Sequence, residues 1–355
     1  MTLMLPAVLT LQGQQRSDSK TLRKSFRAGN DPMLEVNNKY GDIHIMHSGS
    51  DSITVTVEIT ASSSDGGKID AMMSDVDVNI SMTGSAVRAV TSFRKGITPL
   101  FESVKGLTKN LINFDSRLKI DYHIECPRET ALRITNSYGD VYIGDETPVL
   151  ALKLSNGNLD AAAVGNAQMM ELTFSKANVR SIGEGNVTLS FSELRTREAG
   201  TIKLAGTSSK AWIEGCKSAD LDSKRDDFHF GTVDVLTGTS YFSDIIANRV
   251  TGEVNLSLKY GNLSFENVDR SLRVIDIRSS YADIDMALEE RSAYDLEIRH
   301  ANAFVSLPGL TPEPEVTEIN AEDKLFLTKA AAGSGSSRSR IRIDATRGEI
   351  RVLQK

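Results

Sequence analysis

Two cysteines, eight prolines and one tryptophan are all that 355 residues contain of the types that staple, break or anchor a small fold. So few cysteines rule out a disulfide scaffold and a Cys-rich zinc framework. No long run of like charge occurs. Forty-one Lys and Arg are scattered among 47 Asp and Glu, for a net charge of −6, so the basic footprint that offsets nucleic-acid phosphate is missing. No apolar run approaches the roughly 18 residues of a membrane-spanning helix. A Gly-rich phosphate loop, a GxSxG elbow and an HExxH pair are also missing. Aromatic residues are 6% of the chain.

What is present is a folding composition: 40% hydrophobic, 25% charged and 26 glycines among many Ser, Thr, Asn and Asp. That suits thin, turn-rich β-structure with a mostly aliphatic core. Residues 1–15 are uncharged, and Leu3–Leu11 is nearly continuous apolar sequence. This predicts the remnant of a secretory signal, though without a basic n-region; an apolar first strand is the alternative. The expected location is the periplasm or cell surface.

One short pattern returns along the chain: apolar-x-apolar, a turn, Asp or Asn, then apolar-x-apolar. Its copies include LEVNNKYGDIHI, LRITNSYGDVYI, LSLKYGNLSF and IDATRGEIRV. Taking the residue before the second apolar pair as a marker gives Asp42, Asp140, Asn158, Asn178, Glu193, Lys210, Asp227, Asp244, Asn262, Asp283, Ala303 and Glu349. From Asp140 to Ala303 the spacings run from 15 to 21 residues and centre near 18. That is too short for helical-pair repeats or propeller blades and fits one turn of a β-helix. Alternation points Leu152/Leu154, Leu172/Phe174, Leu256/Leu258 and Ile275/Ile277 inward. Ten stacked turns would make a rod of about 48 Å.

The organisation predicted for residues 22–355 is a single all-β solenoid. It has irregular strands over 22–127 with a helical insertion at 98–114, regular coils over 128–307, a loop insertion around one strand at 308–340, and a last coil at 341–355. ITVTVEI, VDVNISM and LKIDYHIECP read as longer alternating strands in the irregular part. Gly41, Gly139, Gly157 and Gly261 are expected to supply left-handed or tight corners, with Asp and Asn capping corner amides. A calcium ladder would need Gly-Gly-x-Gly-x-Asp repeats, which do not occur.

Few residues suggest chemistry. His44 and His47 are three apart on a strand and so face opposite ways, which disfavours a shared metal. Asp226/Asp227 and Glu289/Glu290 read as solvated corners. Arg225, Asp226, Asp227 and Asp244 could cluster across adjacent coils, the only constellation that would suit a polysaccharide-active enzyme. Cys126 and Cys216 are five coils apart, about 24 Å, beyond the roughly 7 Å limit for a disulfide, so free, buried, inert thiols are expected. No catalytic, cofactor-binding or metal residue is predicted.

IDYHIECP, followed by ALRITNSYGDVYIGD and the series of Gly-[Asp/Asn]-hydrophobic copies, resembles an adhesin-like, single-stranded β-helix family of envelope proteins from Bacteroidetes-type bacteria. The resemblance spans roughly residues 34–353. It implies a right-handed parallel β-helix and an envelope location, and carries no catalytic residues with it. The functions that follow are a non-enzymatic binding module for an envelope protein or glycan, a self-associating scaffold, or a polysaccharide-active enzyme. The two insertions are expected to cover the ends, favouring a monomer over end-to-end assembly, and to be where a dedicated site would lie.

Overall fold

The computed structural model describes residues 16–94, 116–310, 312–333 and 338–354. The expected signal segment (1–15) and helical insertion (98–114) lie outside the described residues. The rest is all-β, with 21 strands in one continuous sheet. Among the described residues no helix is long and apolar enough to cross a membrane.

The middle of the chain is the most regular. β9 (Val141–Ser155), β10 (Asn158–Thr173), β11 (Lys176–Ser190), β12 (Glu193–Thr207), β13 (Lys210–Lys224), β14 (Asp227–Val268) and β15 (Val274–Leu288) follow one another. Each pairs parallel with the next. Asn158 lies beside Lys176, Lys176 beside Glu193, Glu193 beside Lys210 and Lys210 beside Asp227, so each layer sits 17 or 18 residues along from the last. β14 is long enough to contribute to more than one layer, meeting β13 through Asp227–Tyr241 and β15 through Glu253–Val268.

This register corrects two expected markers. Lys176, not Asn178, stands beside Asn158, and Phe304, not Ala303, stands beside Glu349. Both errors follow from seeking an Asp or Asn, or a small turn residue, where the backbone needs neither.

The alternation puts an aliphatic row inside. Leu152, Leu154, Leu172, Leu256, Leu258, Ile275 and Ile277 are buried as expected, but Phe174 is 60% exposed. It follows the last residue of β10 at φ 49°, and that left-handed turn throws its side chain outward. A fully buried Leu or Ile contributes about 2 kcal/mol. No single layer can cover such a row, so the stacking of neighbours supplies the stability.

Both ends interleave segments distant in sequence. β2 (Met33–Lys39) and β3 (Ile43–Ser48) lie parallel on β8 (Ala131–Ser137) and β9. On their other side, β2 meets β6 (Ala86–Phe93) and β3 meets β7 (Arg117–Pro127). Antiparallel strands finish this end: β5 (Val76–Thr83) on β6, β4 (Ser52–Ser63) on β7, and β1 (Arg16–Arg27) on β4. At the far end, β20 (Ser339–Thr346) lies between β15 and β16 (Tyr294–Ala301), while β21 (Glu349–Gln354) pairs with β15 and with β17 (Phe304–Ser306). The segment expected as the last coil is therefore an inner layer. The 308–340 insertion holds two strands rather than one: β18 (Glu315–Asn320) and β19 (Leu325–Ala332) form an antiparallel cap on β16.

A helix that the sequence pattern does not flag, α1 (Gly66–Asp75), follows β4. Asp65 caps it by accepting from the Gly67 amide at 2.9 Å, and Ile69 and Met72 are buried one turn apart.

Candidate functional site

A column of left-handed residues runs along the corner of the stack. Tyr40, Tyr138, Asn156, Phe174, Phe191, Ser208, Arg225, Phe242, Tyr260, Tyr281, Asn302 and Arg347 have φ between 49° and 68°. Each lies two residues before a marker in the corrected register. The corner is thus made by the residue before the glycine. Asn tolerates this conformation, whereas for Phe or Tyr it costs about 1–2 kcal/mol. Gly139 serves another purpose: a Cβ there would lie 1.9 Å from the Gly41 carbonyl oxygen. Of the four expected corner glycines, Gly261 does combine close packing with a left-handed φ of 96°.

Corner amides are satisfied across layers. The Asp140 amide donates to Asp42 at 2.9 Å, the Asn158 amide to Asp140 at 2.8 Å and the Glu349 amide to Asp283 at 2.8 Å. The acidic markers therefore cap as the sequence predicts. Burial pushes the Asp42 carboxyl up, but the Asp140 amide and Lys119 outweigh it and hold it below the usual carboxylate range. Further along, a buried ladder replaces the glycines. The Ser175 amide donates to Ser192 Oγ, the Ser192 amide to Ser209 Oγ, the Ser209 amide to Asp226 Oδ1 and the Asp226 amide to Ser243 Oγ.

Asp226 is accordingly not a solvated corner. It is 4% exposed and also accepts from Ser223 Oγ at 2.9 Å and the Lys224 amide at 2.8 Å. Burial pushes its carboxyl up, against these hydrogen bonds. The other members of the expected cluster are engaged separately. Asp227 contacts Lys210 Nζ at 3.3 Å and His229 Nε2 at 2.6 Å. Asp244 accepts from Asn262 Nδ2 at 2.7 Å, and Arg225 Nε donates to Ser208 Oγ. Glu289, of the second expected pair, meets Arg270 at 3.4 Å.

His44 and His47 do face opposite ways: His47 is buried, and the His44 ring stacks between His123 at 5.1 Å and Tyr142 at 4.6 Å. Both cysteines are buried and free, and burial pushes each thiol up to about 11.

The corner column leaves large rings in water. Phe174 is 60% exposed, Phe191 54% and Phe242 50%. Phe174 stacks on Phe191 at 5.1 Å, Phe242 on Tyr260 at 4.4 Å and Tyr40 on Tyr138 at 5.6 Å. Lys39 lies over Tyr40 and Arg347 over Tyr281, each 4.8 Å from the ring centre. The one available signal was the recurrence of Tyr or Phe two residues before the marker.

A groove of about 650 Å³ opens on the adjoining strand face, with Tyr142, Asp160, Asn178, Arg180, Arg195, Arg197 and Trp212 among its lining residues. It lies in the regular layers, outside both insertions.

No family model matches the chain, and no curated protein matches it. Among solved structures, a candidate adhesin from Parabacteroides merdae is 12% identical, covering 75% of this chain and 95% of that one at a TM-score of 0.32. A lipid-binding protein candidate from Parabacteroides distasonis is 8% identical over 94% and 96%, with a TM-score of 0.30. A candidate adhesin from Bacteroides fragilis is 10% identical over 95% and 97%, with a TM-score of 0.25. At these TM-scores the likenesses carry no argument for this chain.

Proposed function

We propose that residues 22–355 form a single right-handed parallel β-helix that acts as a non-enzymatic binding module in the bacterial envelope, holding a glycan or an envelope protein against the ringed corner. One observation carries this reading: Phe and Tyr occupy exposed left-handed positions where Asn156 and Asn302 show that a cheaper residue fits. A bulky ring there costs conformational energy and recovers only part of it by stacking, about 0.5–1.5 kcal/mol per pair. The rings fall in three runs, Tyr40/Tyr138, Phe174/Phe191 and Phe242/Tyr260/Tyr281, separated by Asn156 and by Ser208 and Arg225, and exposed apolar patches of this kind mark contact surfaces.

The test is the triple variant Phe174→Asn, Phe191→Asn, Phe242→Asn. Its urea midpoint should stay close to that of the unaltered chain, while retention on a glycan array and on isolated envelope fractions should fall at least tenfold. Unchanged retention would set the reading aside, as would turnover of an acidic polysaccharide by the unaltered chain.

A second reading, head-to-tail association, is favoured by opposite charge at the two ends. β1 carries Arg16, Lys20, Arg23, Lys24 and Arg27 against Asp18, all exposed, and β18 with its turn carries Glu315, Glu318, Glu322 and Asp323 against Lys324, also exposed. Like ends repel and unlike ends attract. Scattered mass that grows with concentration at low salt and reverts at high salt supports this arrangement; a constant monomer mass at low salt removes it.

A further inference from the structure

We infer that the groove between Tyr142 and Trp212 binds an acidic saccharide, with a carboxylate held by Arg180 and Arg197 and a sugar ring seated against Tyr142. This site is separate from the ringed corner and does not rest on that reading.

Two columns of outward side chains define the groove. In the first, register places Tyr142, Asp160, Asn178, Arg195, Trp212 and His229 side by side in successive layers. Planar groups stack at both ends of this row: His123, His44 and Tyr142 on one side, and Arg195 over Trp212 at 4.2 Å with Trp212 against His229 at 6.0 Å on the other. Between them the stack is broken for two layers, where only the short side chains of Asp160 and Asn178 stand. Tyr142 and Arg195 are three layers apart, about 14 Å, so the gap admits a ring and its neighbour.

The second column changes from small to cationic. Gly144 and Ala162 leave room, and Arg180 and Arg197 follow in adjacent layers beside Thr196, Val179 and Glu198. Elsewhere on the strand faces, charges in neighbouring layers meet their opposites: Lys153 with Glu171, Lys176 with Glu193, Arg273 with Glu253 and Arg342 with Glu297. Here two arginines abut, and Glu214 follows beside Arg197 in the next layer without coming within ion-pair distance. Among the described residues neither has an ion-pair partner; Arg180 Nε donates only to the Ala162 carbonyl, at 3.3 Å. Like charges directly opposite are unfavourable, and a bound anion relieves that cost.

The chemistry selects among anions. Guanidinium groups match planar carboxylates in a two-bond fork. Asp160, Asn178 and Glu214 in the same groove suit hydroxyl groups. An aromatic face and a row of acceptors beside paired arginines fit a polyhydroxylated ring bearing one carboxylate.

The test titrates the full chain calorimetrically with galacturonate and glucuronate hexamers and with a neutral galactose hexamer. At least one uronate should bind at least tenfold tighter than the neutral chain, and weaken with added salt. Arg180→Ala and Arg197→Ala, both at exposed positions, should each weaken it at least tenfold with unchanged urea midpoints. Tyr142→Ala should weaken it several-fold, and Arg273→Ala, which removes an exposed guanidinium outside the groove, should leave it unchanged. Four results would overturn the inference: no uronate binding, equal affinity for the neutral hexamer, insensitivity to both arginine substitutions, or tighter binding of inorganic phosphate or single-stranded DNA.

Discussion

The corners at Gly41, Gly139 and Gly157 and those at Ser175, Ser192, Ser209, Asp226 and Ser243 have the same backbone shape and opposite chemistry. In the first group the layers approach so closely that no side chain fits at Gly139. At Gly41 and Gly139 amides inside the turn then serve the carbonyls, with Leu154 in their place at Gly157: Asn136 Nδ2 donates to Gly41 at 3.0 Å and to Gly139 at 2.9 Å, and Asn38 Nδ2 donates to Ile120 at 2.9 Å. In the second group a hydroxyl or carboxylate stands at the turn itself, and the space inside holds Leu172 or Leu189 at the first two corners and Gly206, Ser223 or Ser240 at the others. A tight turn in a stacked sheet therefore has two interchangeable ways to satisfy its buried groups, and only one of them sets glycine at the turn.

The sharpest way to break that equivalence is to put the second solution into the first region. Gly139→Ala should destabilise by about 3 kcal/mol, since its Cβ meets backbone rather than a yielding side chain, and the urea midpoint should drop accordingly. Asp226→Ala tests the second region. It orphans the Ser209 and Lys224 amides, at a cost of about 2 kcal/mol, and hydrogen exchange should quicken at those two amides first. Ser192→Ala removes one rung of the same ladder and should cost about 1 kcal/mol; equal effects from all three substitutions would undo the distinction.

The smallest effect concerns the far end, where His300 fills the inner position and meets Thr328 Oγ1 at 3.1 Å. Burial lowers its affinity for a proton, against the opposing Ala303 hydrogen bond. Its contribution is therefore complete above the ordinary histidine value of 6.5 and is lost as pH falls below it. Between pH 8 and pH 5 the unaltered chain should lose more of its urea midpoint than His300→Gln.

Much of this architecture is visible in the residues. Alternation locates β4, β5 and β7, the 17- or 18-residue step is apparent from Asp140 to Asn262, and the acidic caps at Asp42 and Asp140 follow from their place beside glycine. What escapes is where local composition and backbone shape part company. Asn178 draws the eye because Lys176 carries the corner without an Asp or Asn. Phe174 continues an apolar alternation up to the residue where the chain turns. Asp226 has an exposed-looking sequence, RDD, yet its partners Ser209, Ser223 and Ser243 lie in other layers. The groove was less legible still: Arg180 and Arg197 become neighbours only once the register at Lys176 is right. The helix at 66–75 begins with two glycines, which hide a well-formed Asp65 cap.

Residues 339–354 occupy a layer between strands that precede them in the chain, β15 on one side and β16 with β17 on the other. Winding up one layer after another in order of synthesis therefore cannot complete this end. When β16 emerges, its parallel neighbour does not yet exist, and docking it directly on β15 would fill the wrong slot. The chain has to hold that place open, or vacate it, until the later segment arrives, so closure of the far end is a late kinetic step that depends on contacts about 66 residues apart.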